Sequence, residues 1–505
     1  MSKTVKVILW DEEIGRLSWD GRRNVSYFTF NPDFLRKGLD VAPLTASIHD
    51  LRSRMPIYGD MERIYQKLPP FIADSLPDDW GNRLFDYWRK QHKITAASVT
   101  PLEKLSFIGR RGMGALEFMP ESEGYAADGK IDVKSLIDLA QRIFIEREEV
   151  SIQPNESLTM QALIAVGTSA GGRQPKAIIA VNPATGEIRS GQVPGLDGFD
   201  YCILKFGDDA RSSAELEMAY YRMAVDSCIS MADSRMLEVE GCQHFLTKRF
   251  DRKDDGKLHV QTLAAIYPGA HSYEELLMVC RKLDLPETDS EEVFRRMVFN
   301  ILANNTDDHN KNFSFIMDRQ GRWRLSPAYD MTFIFNRGGF LPEEGHCMSM
   351  GGKTSGMTKQ DVLSFASDNG IRRPEAIINK VVEALKTFKT LADRYGVKDE
   401  WANRVGTCIN RHLADWGYAT PLKRGISIAT GKGNAISDIR IEETYKGNYH
   451  LLATVGGKEY KYVIRKGTDV YSGIAAIGLD SIPYNTLLEL AEKHILPKIK
   501  LTTET

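Results

Sequence analysis

The chain has 505 residues, 42% of them hydrophobic and 27% charged, a globular balance in a length that predicts about two to four domains. Its 66 Lys and Arg against 68 Asp and Glu leave a formal net charge of −2, which excludes nucleic-acid binding driven by bulk positive charge.

The N-terminal stretch "KTVKVILWDEEIGRLSWDGRRNVSYFTF" alternates and is rich in β-branched residues, which predicts a small antiparallel sheet turning at Asp11–Gly15 and Asp20–Gly21. It has no signal-peptide apolar core, and no run of about 18 apolar residues occurs anywhere, so neither export nor a membrane span is expected. Helical spacing follows in "ERIYQKLPPFIADSLPDDWGNRLFDYWRKQ", interrupted at its prolines. These elements form a first subdomain over 1–122, and the polar Glu121–Lys130 reads as a connector. A nucleotide-binding lobe is placed at 123–255. Within it an apolar run leads into the loop Gly167–Pro175, then into the strands "KAIIAV" and "FDYCILKFG", then into the helix "SAELEMAYYRMAVDSCI". The lobe closes on "HFLTKRFDR".

From about residue 271 the pattern turns helical, and a helical lobe is placed at 256–418. "DSEEVFRRMVFNILANN" carries an apolar stripe at 293, 294, 297, 298, 301 and 302, with Asp289 and Glu292 spaced for a capping box. Residues 419–505 read as a small α+β appendage: strands joined by a Gly456–Gly457 turn, then a helix in "YNTLLELAEKHIL". Over 421–505 there are 12 Lys and Arg against 9 Asp and Glu, too little to argue for DNA binding. The six cysteines are scattered without a C-x-x-C pair, which predicts reduced thiols in a cytoplasmic protein.

The densest chemistry lies in "NNTDDHNKNFSFIMDRQGRWRLSPAYDM", Asn304–Met331. Asp307 and Asn312 form D-x-x-x-x-N, and Asp330 follows a predicted hairpin that turns at Asp318–Gly321 and returns it beside Asn312. Phosphoryl transfer needs one carboxylate at the attacking hydroxyl, with an amide oxygen and a second carboxylate on Mg2+. Alone, D-x-x-x-x-N is also an ordinary polar loop after a helix. His309 has no further imidazole or thiolate at zinc-ligand spacing, so a loop-orienting role is the simpler reading. Asp308 is unassigned, and Lys311 either neutralises phosphate, pairs with Asp307 or is a solvated surface lysine.

Upstream, Gly167, Gly171 and Gly172 with Lys176 make a loop whose backbone amides can approach phosphate, although it is not a Walker A motif and is equally a plain turn. Lys205, in a strand that reads as buried, needs a partner, and Glu217 on the next helix is the candidate.

The order of these parts, with "SLPDDWGNRL", "PLEKLSFIGRRGMGALEF", "GGRQPKA", "LTKRFDR", "NTDDHNKNFS" and "SPAYD", resembles the HipA family of bacterial serine/threonine kinases over about residues 3–417. The resemblance implies an α+β, bilobal protein-kinase-like fold using ATP and Mg2+. It places Asp307 as the catalytic carboxylate, Asn312 and Asp330 on the metal, and Lys205 with Glu217 on the phosphates. It further assigns Thr247–Phe250, including Lys248 and Phe250, to the adenine hinge, and Ser169 to autophosphorylation that self-inactivates the kinase. Where other members carry an acidic residue in the hinge, this chain has Lys248. Family members are growth-arresting toxins acting on translation proteins, notably aminoacyl-tRNA synthetases. A small HipB-like DNA-binding antitoxin restrains them, so any operator contact comes through that partner. The rival expectations are a catalytically silent nucleotide-binding scaffold and a metal-dependent phosphohydrolase.

Overall fold

The computed structural model describes residues 4–122, 131–145, 157–167, 174–193, 195–253, 256–334, 345–418, 436–443, 449–455 and 458–464. Val5, Val7 and Leu9 alternate with exposed residues along β1 (Thr4–Leu9), so one face of the strand is apolar. β2 (Glu12–Asp20), β3 (Val25–Phe30), β4 (Ile57–Tyr58) and β5 (Leu116–Met119) join it in an antiparallel sheet of order β4-β3-β2-β1-β5. The first turn is tighter than expected: it falls on Trp10 and Asp11, both at positive φ, and Gly15 lies inside β2. Glycine is required at 15 for a different reason, since a Cβ there would sit 2.4 Å from the Phe28 ring. Helices α1 (Pro32–Leu35), α2 (Pro70–Ala73), α3 (Asp79–Gln91) and α4 (Pro101–Ile108) pack beside this sheet, and prolines stand at or next to the start of three of them.

Beyond α5 (Val133–Ile145) and α6 (Ser157–Val166) comes a second antiparallel sheet. Its strands are β6 (Lys176–Val181), β7 (Ile188–Ser190), β8 (Asp200–Lys205), β9 (Ser234–Val239) and β10 (Cys242–Lys248), in the order β7-β6-β8-β10-β9. The helix α7 (Ser213–Asp226) follows β8. One apolar core runs through both sheets, from Val7 and Phe28 through Trp80, Phe107 and Leu163 to Ala177, Leu204 and Leu246. Packing is therefore continuous across the sequence boundary drawn at 122/123.

A ribbon of β11 (Arg252–Lys253) and β12 (Gly256–Lys257) leads to β13 (His259–Thr262), which pairs with a hairpin of β14 (Ser314–Met317) and β15 (Trp323–Leu325). α8 (Leu263–Ile266), α9 (Tyr273–Lys282), α10 (Glu287–Ala303), α11 (Lys359–Asp368), α12 (Pro374–Leu385), α13 (Phe388–Tyr395) and α14 (Asp399–Asp415) complete a helical lobe. Its core takes in Leu216, Ala219, Tyr220 and Met223 of α7, so that helix is embedded in the lobe opposite its own sheet.

The expected capping box of α10 does not form. Pro286 is the N-cap, and both carboxylates are buried inside the helix, where arginines and backbone amides beyond the first turn take them up. Asp289 accepts from the Arg324 guanidinium at 2.7 and 2.9 Å and from Leu325 N at 3.0 Å, while Glu292 accepts from Ser230 N and Arg296 Nε, each at 2.9 Å. Buried charge finds a stronger partner in a guanidinium than in a helix-end amide.

Pro421–Thr505 is a separate compact unit. In it β16 (Ile436–Glu443), β17 (Tyr449–Val455) and β18 (Lys458–Ile464) form an antiparallel meander in which Val455 pairs with Lys458. Gly456–Gly457 and the helix expected after them lie outside the described residues. Among the described residues no helix is long and apolar enough to cross a membrane.

Candidate active site

The site begins with register. β6 and β8 pair so that Lys176 stands directly opposite Lys205, and β10 places Phe245 opposite Lys205 on the other side. Directly opposed residues share a sheet face, so the two lysines project from the same side, and the Lys205 ammonium sits 5.7 Å from the Phe245 ring centre. Such a pair stands only if carboxylates surround it. Lys205 Nζ contacts both Glu217 Oε1, from α7, and Asp330 Oδ1. Lys176 Nζ lies 3.3 Å from Asp78 Oδ2, at the N-cap of α3.

The electrostatics follow. Burial works against the Lys205 charge, but Asp330 and Glu217 outweigh it and raise the ammonium above its ordinary value. Burial likewise opposes the charge on Asp330, and Lys205 and Lys176 hold its carboxyl below the usual range. Glu217 is pushed up by burial. Asp330 also has φ +53°, a left-handed conformation that costs a non-glycine residue on the order of 1 kcal/mol and is characteristic of functional loops.

α10 ends at Asn304, whose positive φ closes the helix and turns the chain into the 305–312 loop. The loop divides its polar residues between two sides. Asn312 Nδ2 donates to the Asp307 carbonyl at 2.7 Å, which commits its amide N–H to the loop and leaves its oxygen as the atom suited to a cation. His309 Nε2 is 3.8 Å from Asp307 Oδ1, and its Nδ1 accepts from Lys311 N at 3.2 Å, a loop-orienting arrangement. Asp308 points the other way and is buried. It accepts from Tyr273 Oη at 2.6 Å, His346 Nδ1 at 3.0 Å, Cys347 N at 2.8 Å and Met348 N at 3.3 Å. Asn300 and Asn305 extend this network: Asn300 donates to Tyr273 Oη at 3.0 Å and Asn305 to Asn300 Oδ1 at 2.9 Å.

The β14–β15 hairpin turns at Gly321, and Tyr329 then donates from Oη to the Lys311 carbonyl at 2.8 Å. Asp330 is thus delivered beside the loop that carries Asn312, as its spacing predicts. An Asn oxygen with an Asp carboxylate is a hard-oxygen set of the kind Mg2+ takes.

Other predicted residues distribute unevenly. Phe250 stacks on Tyr329 with ring centres 5.8 Å apart, which ties the Thr247–Phe250 segment to the residue before Asp330. The Lys248 side chain does not join the group. Three positions from Phe245 along one strand, it falls on the opposite sheet face and pairs with Asp200 at 2.6 Å. Lys311 is exposed. Gly171, Gly172 and Ser169 lie outside the described residues.

Sequence reasoning gave no role to Asp74, Asp78, Tyr273 or His346. Only "SLPDDWGNRL" carried a signal, since two adjacent carboxylates before an aromatic helix ask for partners.

Comparisons with known proteins match two stretches of the chain. Residues 5–119 match the HipA N-terminal domain, and residues 168–388 match the HipA-like C-terminal domain. The chain belongs to the HipA family. Among HipA relatives, the serine/threonine-protein kinase toxin HipA of Shewanella oneidensis is 22% identical over 360 residues, 66% of this chain and 75% of that protein. Y4dM of Sinorhizobium fredii, provisionally named a kinase, is 36% identical over 96 residues, and the chain spans only 23% of its length. A solved complex of Shewanella oneidensis HipA, HipB and its operator DNA contains a chain of shared fold. The TM-score is 0.58 at 17% identity, covering 81% of this chain and 96% of that one.

Proposed function

We propose that the chain is an ATP- and Mg2+-dependent serine/threonine protein kinase of the HipA toxin type. The observation that carries this reading is Lys205 held between Glu217 and Asp330, beside Lys176 and next to the loop of Asp307 and Asn312. Two lysines and one helix carboxylate suit a polyphosphate, and the remaining groups suit an attacking hydroxyl.

In this mechanism Lys205 and Lys176 bind the ATP phosphates, and Glu217 orients Lys205. Asp307 takes the proton of a substrate Ser or Thr hydroxyl. The hydroxyl oxygen bonds to the γ-phosphorus as the bond to the β,γ-bridging oxygen breaks, and ADP leaves with that electron pair. Asn312 and Asp330 would hold Mg2+, which supplies neutralisation of the phosphate charge when bound. The Lys205–Asp330 contact gives way as phosphates replace the carboxylate at the ammonium.

Incubation with labelled ATP and Mg2+ tests this. The wild-type chain is expected to transfer label to itself or to a protein acceptor, and Asp307→Ala to lose at least about a hundredfold of that transfer. Equal labelling of the two would overturn the kinase reading in favour of a silent nucleotide-binding scaffold. Release of phosphate from a phosphoester without ATP would point instead to a phosphohydrolase. In the same samples, phosphopeptide analysis should find Ser169 modified, the site of the proposed self-inactivation. A HipB-like antitoxin is the proposed partner in the cytoplasm, supported by the family and by the solved complex of a relative with HipB. The protein acceptor is proposed to be a translation protein.

A further inference from the structure

The N-terminal subdomain reaches the phosphate lysines, although nothing in a kinase mechanism requires it to. Its segment Asp74–Leu84 touches both ends of the Gly167–Lys176 loop. At the start of that loop, a Cβ on Gly167 would come within 2.5 Å of Leu84 Cδ1 and 3.1 Å of Trp80 Nε1, so only glycine allows α3 this close. At its end, Trp80 Nε1 donates to the Lys176 carbonyl at 3.1 Å, and Asp78 lies 3.3 Å from Lys176 Nζ. Lys176 is only 2% exposed, so its ammonium depends on the groups around it. Arg111, also buried, donates from Nη1 to the Ile164 carbonyl at 3.0 Å, satisfying the C-terminal end of the helix that leads into the loop.

The near end of the same segment is fixed to the other lobe. Asp74 accepts from Thr262 N and Thr262 Oγ1, each at 2.7 Å, and the Lys311 charge reaches it. Thr262 pairs with Ser314, and Leu263 N donates to the Phe313 carbonyl at 2.7 Å, so Asp74 braces the backbone that frames the 305–312 loop. Asp74 and Asp78, four residues apart, therefore hold opposite sides of the phosphate site.

We propose that Asp74–Leu84 is a structural strap across the nucleotide site, with Asp78 the positioning residue that aims Lys176 at the ATP phosphates. This rests on the nucleotide reading above. The strap makes phosphate binding depend on a subdomain that carries none of the transfer chemistry. It also explains why an aspartate stands at the N-cap of α3: Asp78 accepts from Gly81 N at 2.5 Å through Oδ1 while turning Oδ2 to Lys176.

The test is a double-mutant cycle on the full chain, read as the Kd for MgATP and, separately, the melting temperature. Asp78→Ala is expected to weaken MgATP about tenfold, Lys176→Met to weaken it at least as much, and the double variant no further than Lys176→Met alone. Asp78→Glu, which keeps the charge but displaces it by one methylene, should recover part of the loss and melt as the wild type does. If Asp78→Ala and Asp78→Glu both bind MgATP as tightly as wild type, or if the Asp78 and Lys176 losses simply add, Asp78 does not act through Lys176 and the strap proposal fails. A wild-type chain that does not bind MgATP is a different result: it removes the nucleotide reading itself.

Discussion

Asp308 is the residue whose neighbours redefine it. In the sequence it is one of two adjacent carboxylates before a histidine, and nothing separates it chemically from Asp307. In the fold its side chain faces the core and gathers a phenol, an imidazole and two backbone amides. Those bonds tie the 305–312 loop to residues 346–348 and so brace Asp307 from behind. Asp308→Ala leaves buried donors unmatched and is expected to cost about 2–4 kcal/mol of stability in urea unfolding. Asp308→Asn keeps an acceptor for the amides and should cost roughly half as much. Equal stability of Asp308→Ala and wild type would remove the bracing role. The role proposed for Asp307, by contrast, rests on its spacing to Asn312, because metal and hydroxyl chemistry constrains residue type at fixed separations.

At the scale of elements, β13 shows what periodicity conceals. Its four residues, His259–Thr262, carry two polar side chains on the buried side, so no apolar alternation marks it. Its polar groups turn instead to one carbonyl: His259 Nε2 lies 3.0 Å from the Val41 oxygen, and Gln261 Nε2 donates to the same atom at 2.7 Å. Burial pushes the His259 imidazole down to about 4. The folded chain therefore keeps this ring neutral, while the unfolded chain protonates it near 6.5. Stability from this group is complete above about pH 6.5 and falls as the pH drops towards 4, by about 2–3 kcal/mol at pH 4.5. His259→Gln should flatten that part of the pH profile in urea unfolding, and an unchanged slope would show the imidazole titrating normally in the fold. α10 makes the complementary point. Its apolar stripe predicted the helix correctly, while the capping role given to Asp289 and Glu292 failed because arginines compete for the same carboxylates, Arg324 of the hairpin for Asp289 and Arg295 and Arg296 of the same helix for Glu292.

Across the whole molecule, the continuous core over both N-terminal sheets has a mechanical consequence. Trp80 is fully buried where α3 meets the loop before β6, and it bonds to Lys176. Trp80→Ala should destabilise this region by about 3–5 kcal/mol. Hydrogen exchange is then expected to accelerate together in β1–β3 and in β6 and β8, because one core serves both. Loss of protection confined to β1–β3 would mean that the sheets unfold independently. α7 crosses the other way: it presents Glu217 to Lys205 of the second sheet while its apolar side lies in the helical lobe's core. The Lys205–Glu217 pair therefore follows the lobes as packed bodies rather than a freely swinging helix.

The sequence alone determined the α+β division, the long helix before the 305–312 loop, the hairpin that returns Asp330, and the Lys205–Glu217 pairing. Each depends on local periodicity, or on residue types that chemistry confines to fixed spacings. The tertiary structure alone decided that Lys176 faces Lys205, that Asp78 reaches Lys176 and Asp74 reaches Thr262, that Asp308 turns inward, and that Lys248 falls on the far side of its sheet. These depend on strand register and on which distant group meets a buried charge, and neither is encoded in the order of neighbours along the chain.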